Sequence, residues 1–264
     1  VLLKGVSPSA ETWNNCGPAT LSMALSFYKV NAAQADIAAV IKPNARDKNV
    51  MPYEMVNYVN DHTPLRALSR IGGTLDTLRM LVSAGFPVII EKGFETADVS
   101  QGWMGHYNLV LGYDDANQQF TTQDSYLLIN QKDWQKTGGF VIPYTTIETN
   151  WRAFDFLFIV IYPPEKENDV LNAIGPLMDE GLANRTAYDR ALAETSSLTG
   201  LRDRFFAWYN VGSSSVAMQD YAGAAAAYDA AYGVYPDIAE KQRPWRMVWY
   251  QTGPYYAYFY TARY

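Results

Sequence analysis

Two adjacent prolines, Pro163-Pro164, followed by the charged run Glu165-Lys166-Glu167, split this chain into stretches of different texture. Proline lacks an amide hydrogen and fixes its own φ, so a pair of them ends a strand and continues no helix. Before the pair, the pattern reads as helices first and strands after. Beyond it, from Asn168 onward, no strand pattern appears. A length of 264 residues suits one large domain or two ordinary ones. The break predicts two, at residues 1–163 and 164–264.

In the first stretch, Pro18 to Tyr28 places Ala19, Leu21, Met23, Ala24, Leu25, Phe27 and Tyr28 on the apolar face of a helix. Asn14 or Asn15 is positioned to cap it, and Pro18 suits its first turn. Further helices are expected at 34–41, closed by Pro43, at 52–61, and at 75–84 before Gly85. A short strand is expected at 67–70. Stronger strand patterns follow at 87–91, 107–113, 119–123 and 154–162, with Asp114-Asp115-Ala116-Asn117 as a turn. Helices followed by an antiparallel sheet predict an α+β domain.

The second stretch carries Trp208-Tyr209-Asn210-Val211-Gly212, then Tyr221 through Ala231, then Pro236. This follows the tetratricopeptide pattern, with small residues at Gly212, Ala224 and Ala231 where two helices approach. Trp249-Tyr250-Gln251-Thr252-Gly253 reads as the opening of a further repeat, and 170–198 as a degenerate earlier pair. Too few repeats are present for a free-standing solenoid, so this unit is expected to lean on the first domain.

Composition narrows the function classes. A net charge of −6, with no Lys/Arg-rich stripe, argues against nucleic acid or an anionic membrane as the main partner. No run of 18 apolar residues exists, so no membrane span is expected. The chain begins at Val1, which leaves a removed leader untested.

Cys16 is the only cysteine, so no intrachain disulfide can form. It stands in Asn14-Asn15-Cys16-Gly17-Pro18, at the entrance of the first helix, where the macrodipole stabilises negative charge. One of two histidines, His106, opens the strand pattern Gly105-His106-Tyr107-Asn108-Leu109. Asp124 follows in Gln123-Asp124-Ser125-Tyr126. A cysteine, a histidine and an aspartate at the ends of regular elements suit nucleophilic catalysis. The thiolate attacks a carbonyl, the imidazole relays the proton, and the carboxylate orients the imidazole. The Cys16 backbone N–H is an oxyanion donor, and Trp103, Met104 and Tyr107 are candidates for the substrate cleft. The blander readings are a buried small hydrophobe for Cys16, a satisfied histidine for His106 and a turn residue for Asp124. His62 reads as an exposed helix end. With so few histidines and cysteines, no metal is expected, and Asp114-Asp115 and Asp47–Asn49 match no calcium loop. No cofactor is expected.

Asn15-Cys16-Gly17-Pro18-Ala19, Gly105-His106-Tyr107 and Asp124-Ser125-Tyr126 together resemble the C39-like peptidases, a branch of the papain-like cysteine peptidases. The resemblance spans about residues 1–163. It implies Cys16 as nucleophile, His106 as base, Asp124 as orienter, and a peptide or protein substrate. It also implies a bacterial, exported setting, and fusion to tetratricopeptide-like helices that position the substrate or hold a protein partner. One position departs from the family. Where a glutamine is usual ahead of the cysteine, completing the oxyanion hole, this chain has Glu11. An ionised carboxylate donates no hydrogen bond. Either Glu11 is protonated in a dry site, or Asn14 or Asn15 donates instead, or catalysis is lost and peptide binding kept. Acyl transfer on the same triad is a further alternative to hydrolysis.

Overall fold

The computed structural model describes residues 1–44, 47, 49–95 and 102–264. Three helices open the chain: α1 (Cys16–Phe27), α2 (Gln34–Ile41) and α3 (Pro52–His62). Helix α1 starts before its apolar pattern does, so Cys16 is its first residue. Neither asparagine caps it through a side chain, contrary to expectation. The Asn15 amide instead donates to Thr12 Oγ1 at 2.7 Å, and Asn14 takes φ 56°, a left-handed conformation that asparagine tolerates.

β1 (Arg66–Arg70), α4 (Leu75–Ser83), β2 (Val88–Glu95), β3 (Trp103–Asp114) and β4 (Gln119–Gln123) follow. Then come the one-turn helices α5 (Leu127–Asn130) and α6 (Trp134–Thr137), β5 (Phe140–Pro143), α7 (Tyr144–Trp151) and β6 (Phe158–Tyr162). The six strands form one sheet in the order β1-β6-β2-β3-β4-β5, antiparallel throughout. This is the expected α+β arrangement. Strand β6 begins later than its apolar run because 152–154 wind a short 3-10 turn, and Asp155 and Phe156 take φ 52° and 55°.

Alternation along the strands supplies two cores, one on each face of the sheet. Ile89, Tyr107, Leu109, Leu111, Ile159 and Ile161 pack with Leu21, Leu25, Met55 and Val59 of α1 and α3. Val88, Ile90, Val110, Phe158 and Val160 pack with Leu78, Leu81, Ile147 and Trp151 of α4 and α7. Each large apolar side chain buried this way contributes about 1.5–3 kcal/mol.

The remainder is helical: α8 (Glu167–Ile174), α9 (Glu180–Ser197), α10 (Leu201–Ala217), α11 (Tyr221–Val234), α12 (Met247–Tyr250) and α13 (Gly253–Tyr260). α10 and α11 form a close helical pair. A Cβ on Gly212 would lie 2.6 Å from the Tyr228 ring, so the glycine is what lets that ring seat. After this pair the chain departs from the expected repeat, since α12 has four residues and α13 eight.

This helical stretch packs directly on the sheet domain. Trp103 stacks on Phe154 and meets Phe206 at a tilt, with ring centroids 5.9 and 5.7 Å away. Asn210 Nδ2 donates to the Arg152 carbonyl at 2.7 Å, and the Ser214 hydroxyl to Asp155 at 2.6 Å. Arg152 also pairs with Glu194 of α9 at 3.1 Å. The third core therefore draws residues from both sides of Pro163-Pro164.

Candidate active site

Antiparallel pairing of β3 with β4 sets Leu109 opposite Gln123. His106 in β3 is thereby brought beside Asp124, the residue after β4. His106 Nε2 lies 2.8 Å from Asp124 Oδ1, and both side chains are buried. The amides of Tyr126 and Leu127 donate to the same oxygen at 3.1 and 3.2 Å. Asn108 Nδ2 donates to Oδ2 at 2.8 Å, and Lys92 Nζ stands 3.7 Å from that oxygen. A carboxylate with both oxygens engaged in this way is fixed in orientation.

Charges follow from these contacts. Burial disfavours an ionised Asp124. The His106 charge and hydrogen bond, Lys92 and the Leu127 amide outweigh it and hold the carboxyl well below the usual range. Burial likewise disfavours the imidazolium. The Asp124 charge and hydrogen bond, joined by those of Cys16, win and push the His106 pKa up to about 10. The imidazole is therefore cationic at neutral pH. Its Nε2 faces Asp124. Its Nδ1 lies 4.0 Å from Glu11 Oε2, on the side of the molecule where α1 begins.

Cys16 and His106 share a cleft of about 410 Å³ with Glu11, Asn14, Met104, Tyr126, Trp249 and Tyr250. Glu11 is held at two points: its amide donates to the Ser125 carbonyl at 3.1 Å, and its Oε2 accepts from the Ser125 hydroxyl at 2.6 Å. Burial raises the Glu11 pKa, and His106 and the Ser125 hydrogen bond offset only part of that rise.

The site candidates read from the sequence do not all reach this cleft. Cys16, His106, Glu11, Asn14 and Met104 line it. The Asn15 amide is turned to Thr12. Trp103 and Tyr107 are corrections. Trp103 is 3% exposed, packed among aromatic rings. Tyr107 is 1% exposed, with its hydroxyl donating to the Val50 carbonyl at 2.8 Å. The cause is strand alternation: β3 starts at Trp103, well before the expected Tyr107, so 103 and 107 share one face and 104 and 106 the other.

Phe94, Tyr126, Trp249 and Tyr250 were missed as cleft residues, and Lys92 and Asn108 as partners of Asp124. Tyr126 had a signal, since it belongs to the Asp124-Ser125-Tyr126 motif. The Phe94 ring centroid lies 4.9 Å from that of His106, the planes tilted by 33°. Trp249 and Tyr250 come from α12, far downstream of His106 in the sequence. The segment is pinned by Arg246, whose guanidinium donates to the Trp103 carbonyl at 2.9 Å and lies 4.0 Å from the Trp245 ring centroid.

A family model described as the Peptidase_C39 like family matches residues 5–157, more than half of the sequence. The chain belongs to that family. It is thus a peptidase-type domain with a helical stretch behind it. Among solved structures, it is similar to the peptidase domain of Streptococcus ComA, a bi-functional ABC transporter involved in a quorum sensing pathway. That match has 18% identity and a TM-score of 0.46, and covers 61% of this chain and 99% of that one. It is similar also to a protein described as a C39-like peptidase from Bacillus anthracis, at 17% identity, TM-score 0.47, covering 61% and 96%. A third is a double glycine motif protease from an AMS/PCAT transporter in complex with the leader peptide, at 16% identity, TM-score 0.42, covering 61% and 94%. No match is found among curated proteins. Among the described residues, no helix of this C39-like chain is long and apolar enough to cross a membrane, and no group of three or more His, Cys, Asp or Glu is placed to hold a metal ion.

Proposed function

We propose that this chain is a cysteine peptidase or amidase that hydrolyses a peptide or amide bond through an acyl-enzyme. The observation that carries the reading is the 2.8 Å Asp124–His106 contact, with the far side of the imidazole turned toward Cys16 and Glu11. Cys16 Sγ attacks the carbonyl carbon, and a C–S bond forms as the carbonyl electrons move to oxygen. Collapse of this intermediate breaks the C–N bond, and the proton on His106 passes to the leaving amine. His106 then takes a proton from water as the water attacks the thioester. The second tetrahedral intermediate collapses, the C–S bond breaks, the acid leaves, and the Cys16 thiolate beside a protonated His106 is restored.

The developing oxyanion is served by the Cys16 amide, which as the first residue of α1 has no intrahelical acceptor. A second donor comes from Glu11 in its protonated form, which its burial favours. Asn14 is the alternative donor on the same cleft wall. Trp249 and Tyr250 line the same cleft, which gives the helical stretch a role in holding the substrate peptide. No cofactor is required for any step.

Glu11 also favours a second reading: a pseudo-peptidase that binds peptides without cutting them. The test is the rate of Cys16 alkylation by iodoacetamide against pH, in this chain and in His106→Ala, followed by turnover of a peptide library. The peptidase reading expects fast alkylation near neutral pH, slowed by His106→Ala. Alkylation that tracks an ordinary thiol in both proteins, with no turnover, sinks it and leaves the binding protein.

A further inference from the structure

Lys92 lies directly across from His106 in the β2–β3 register, and only about 4% of the residue is exposed. Its Nζ is 3.7 Å from Asp124 Oδ2 and 4.8 Å from the Phe94 ring centroid. The same Phe94 ring lies against His106. A buried ammonium is heavily penalised, and an apolar side chain of the same length would fill the space without that cost. The fold therefore keeps a cation beside the aspartate that orients the imidazole.

We propose that Lys92 is a positioning residue of this site: its ammonium shares the Asp124 carboxylate with the His106 imidazolium and loosens that carboxylate's hold on the imidazolium proton. The inference rests on the peptidase reading. A general acid works best when its affinity for the proton is near the operating pH. His106 has the Asp124 carboxylate on Nε2, with Cys16 and the acid Glu11 on the Nδ1 side. All of them strengthen its hold on the proton when ionised, which works against donation to the leaving amine.

Lys92 offsets the nearest of these charges. Burial lowers the Lys92 pKa below that of an ordinary lysine, and the charges of Asp124 and Cys16 offset part of that fall. The other charged groups around it are engaged elsewhere. Glu95 and Arg202, which line the same cavity, pair with each other at 2.6 Å, and Asp203 faces Arg152 at 3.6 Å.

The test is an NMR titration of the two histidines in the unaltered chain, Lys92→Met and Lys92→Arg, with turnover measured in parallel. His62, exposed at the end of α3, serves as the internal reference. Removing the cation leaves the imidazolium as the charged partner of Asp124, so Lys92→Met is expected to move the His106 titration to higher pH by about one unit. It should lower kcat by about tenfold with little change in KM. Lys92→Arg, which keeps the charge, should hold both near the unaltered values. A folded Lys92→Met chain with an unmoved His106 titration overturns the proposal. Should that variant not fold, the Lys92 15Nζ signal of the unaltered chain decides: a charged ammonium from pH 5 to 8 supports the role, and a neutral amine overturns it. A shifted titration with no turnover in any variant sinks the peptidase reading and leaves the charge sharing intact.

Discussion

The Glu11 carboxylate accepts a 2.6 Å hydrogen bond from the hydroxyl of Ser125, the residue after Asp124. This tie holds Glu11 beside the imidazole, 4.0 Å from His106 Nδ1. Burial raises the Glu11 pKa, so the acid keeps its proton to higher pH than an exposed glutamate and loses the power to donate as it ionises. Turnover is therefore expected to fall as pH rises through the Glu11 titration. Glu11→Gln keeps an acceptor for Ser125 and adds a permanent donor. It should abolish that fall and raise kcat on its alkaline side by up to about 100-fold, the worth of one oxyanion donor. A pH–kcat profile of both proteins checks this. A pair of identical profiles removes Glu11 from the oxyanion hole.

Asp124→Ala tests the other side of the imidazole. Loss of the orienting carboxylate should cost about 10³–10⁴ in kcat. It should also change the pH dependence of stability. The lowered Asp124 pKa contributes stability above the ordinary carboxylate range, lost as pH falls through its folded value. The raised His106 pKa contributes stability that is complete below 6.5 and lost as pH rises through about 10. The destabilisation by Asp124→Ala, read from urea unfolding, is thus largest near pH 6 and shrinks toward pH 10. A constant difference over that range means that the two side chains do not stabilise each other through charge.

Much of this architecture was legible because its signals are local. Apolar spacing marked α1 to α4, and β4 spans the residues that alternation suggests. Cys16, His106 and Asp124 stood out because a single cysteine and two histidines leave little choice. What was not legible depends on register or on distant packing. That Trp103 and Met104 fall on opposite faces follows only once β3 is seen to run back through them, which the apolar pattern from Tyr107 onward does not show. Strand β5 has four residues and ends at Pro143, too short for alternation to register. Trp249 and Tyr250 read as repeat residues because nothing local says that α12 folds back over Gly105.

Trp249→Ala asks whether that return matters. Trp249 is 47% exposed at the cleft and belongs to no buried core cluster, so its loss should move Tm little. KM for a peptide substrate should rise by about tenfold with kcat nearly unchanged, as expected for uniform binding. Unaltered KM across a peptide series excludes this wall from substrate contact. Gly105→Ala makes the complementary change. Its Cβ would meet Tyr250 Cδ1 at 2.9 Å and Phe154 Cζ at 2.6 Å, pushing the wall away at a cost of about 1–3 kcal/mol.

Asp155 bears on stability alone. The residue is 3% exposed, adopts φ 52°, and accepts a 2.6 Å hydrogen bond from Ser214 of α10. Burial raises its pKa from 3.8 to about 7, the Ser214 bond and Arg190 offsetting only part of the effect. The folded chain therefore retains a proton that the unfolded chain has lost between these two values. Stability falls across that window as pH rises, by up to about 4 kcal/mol from this group. An asparagine side chain in its place would not ionise, would tolerate the left-handed backbone and would still accept from Ser214. Asp155→Asn is expected to stabilise the protein at pH 8 by about 1–3 kcal/mol and to leave it nearly unchanged at pH 4, as measured by urea unfolding. An equal effect at both pH values would show that the gain does not come from the buried charge.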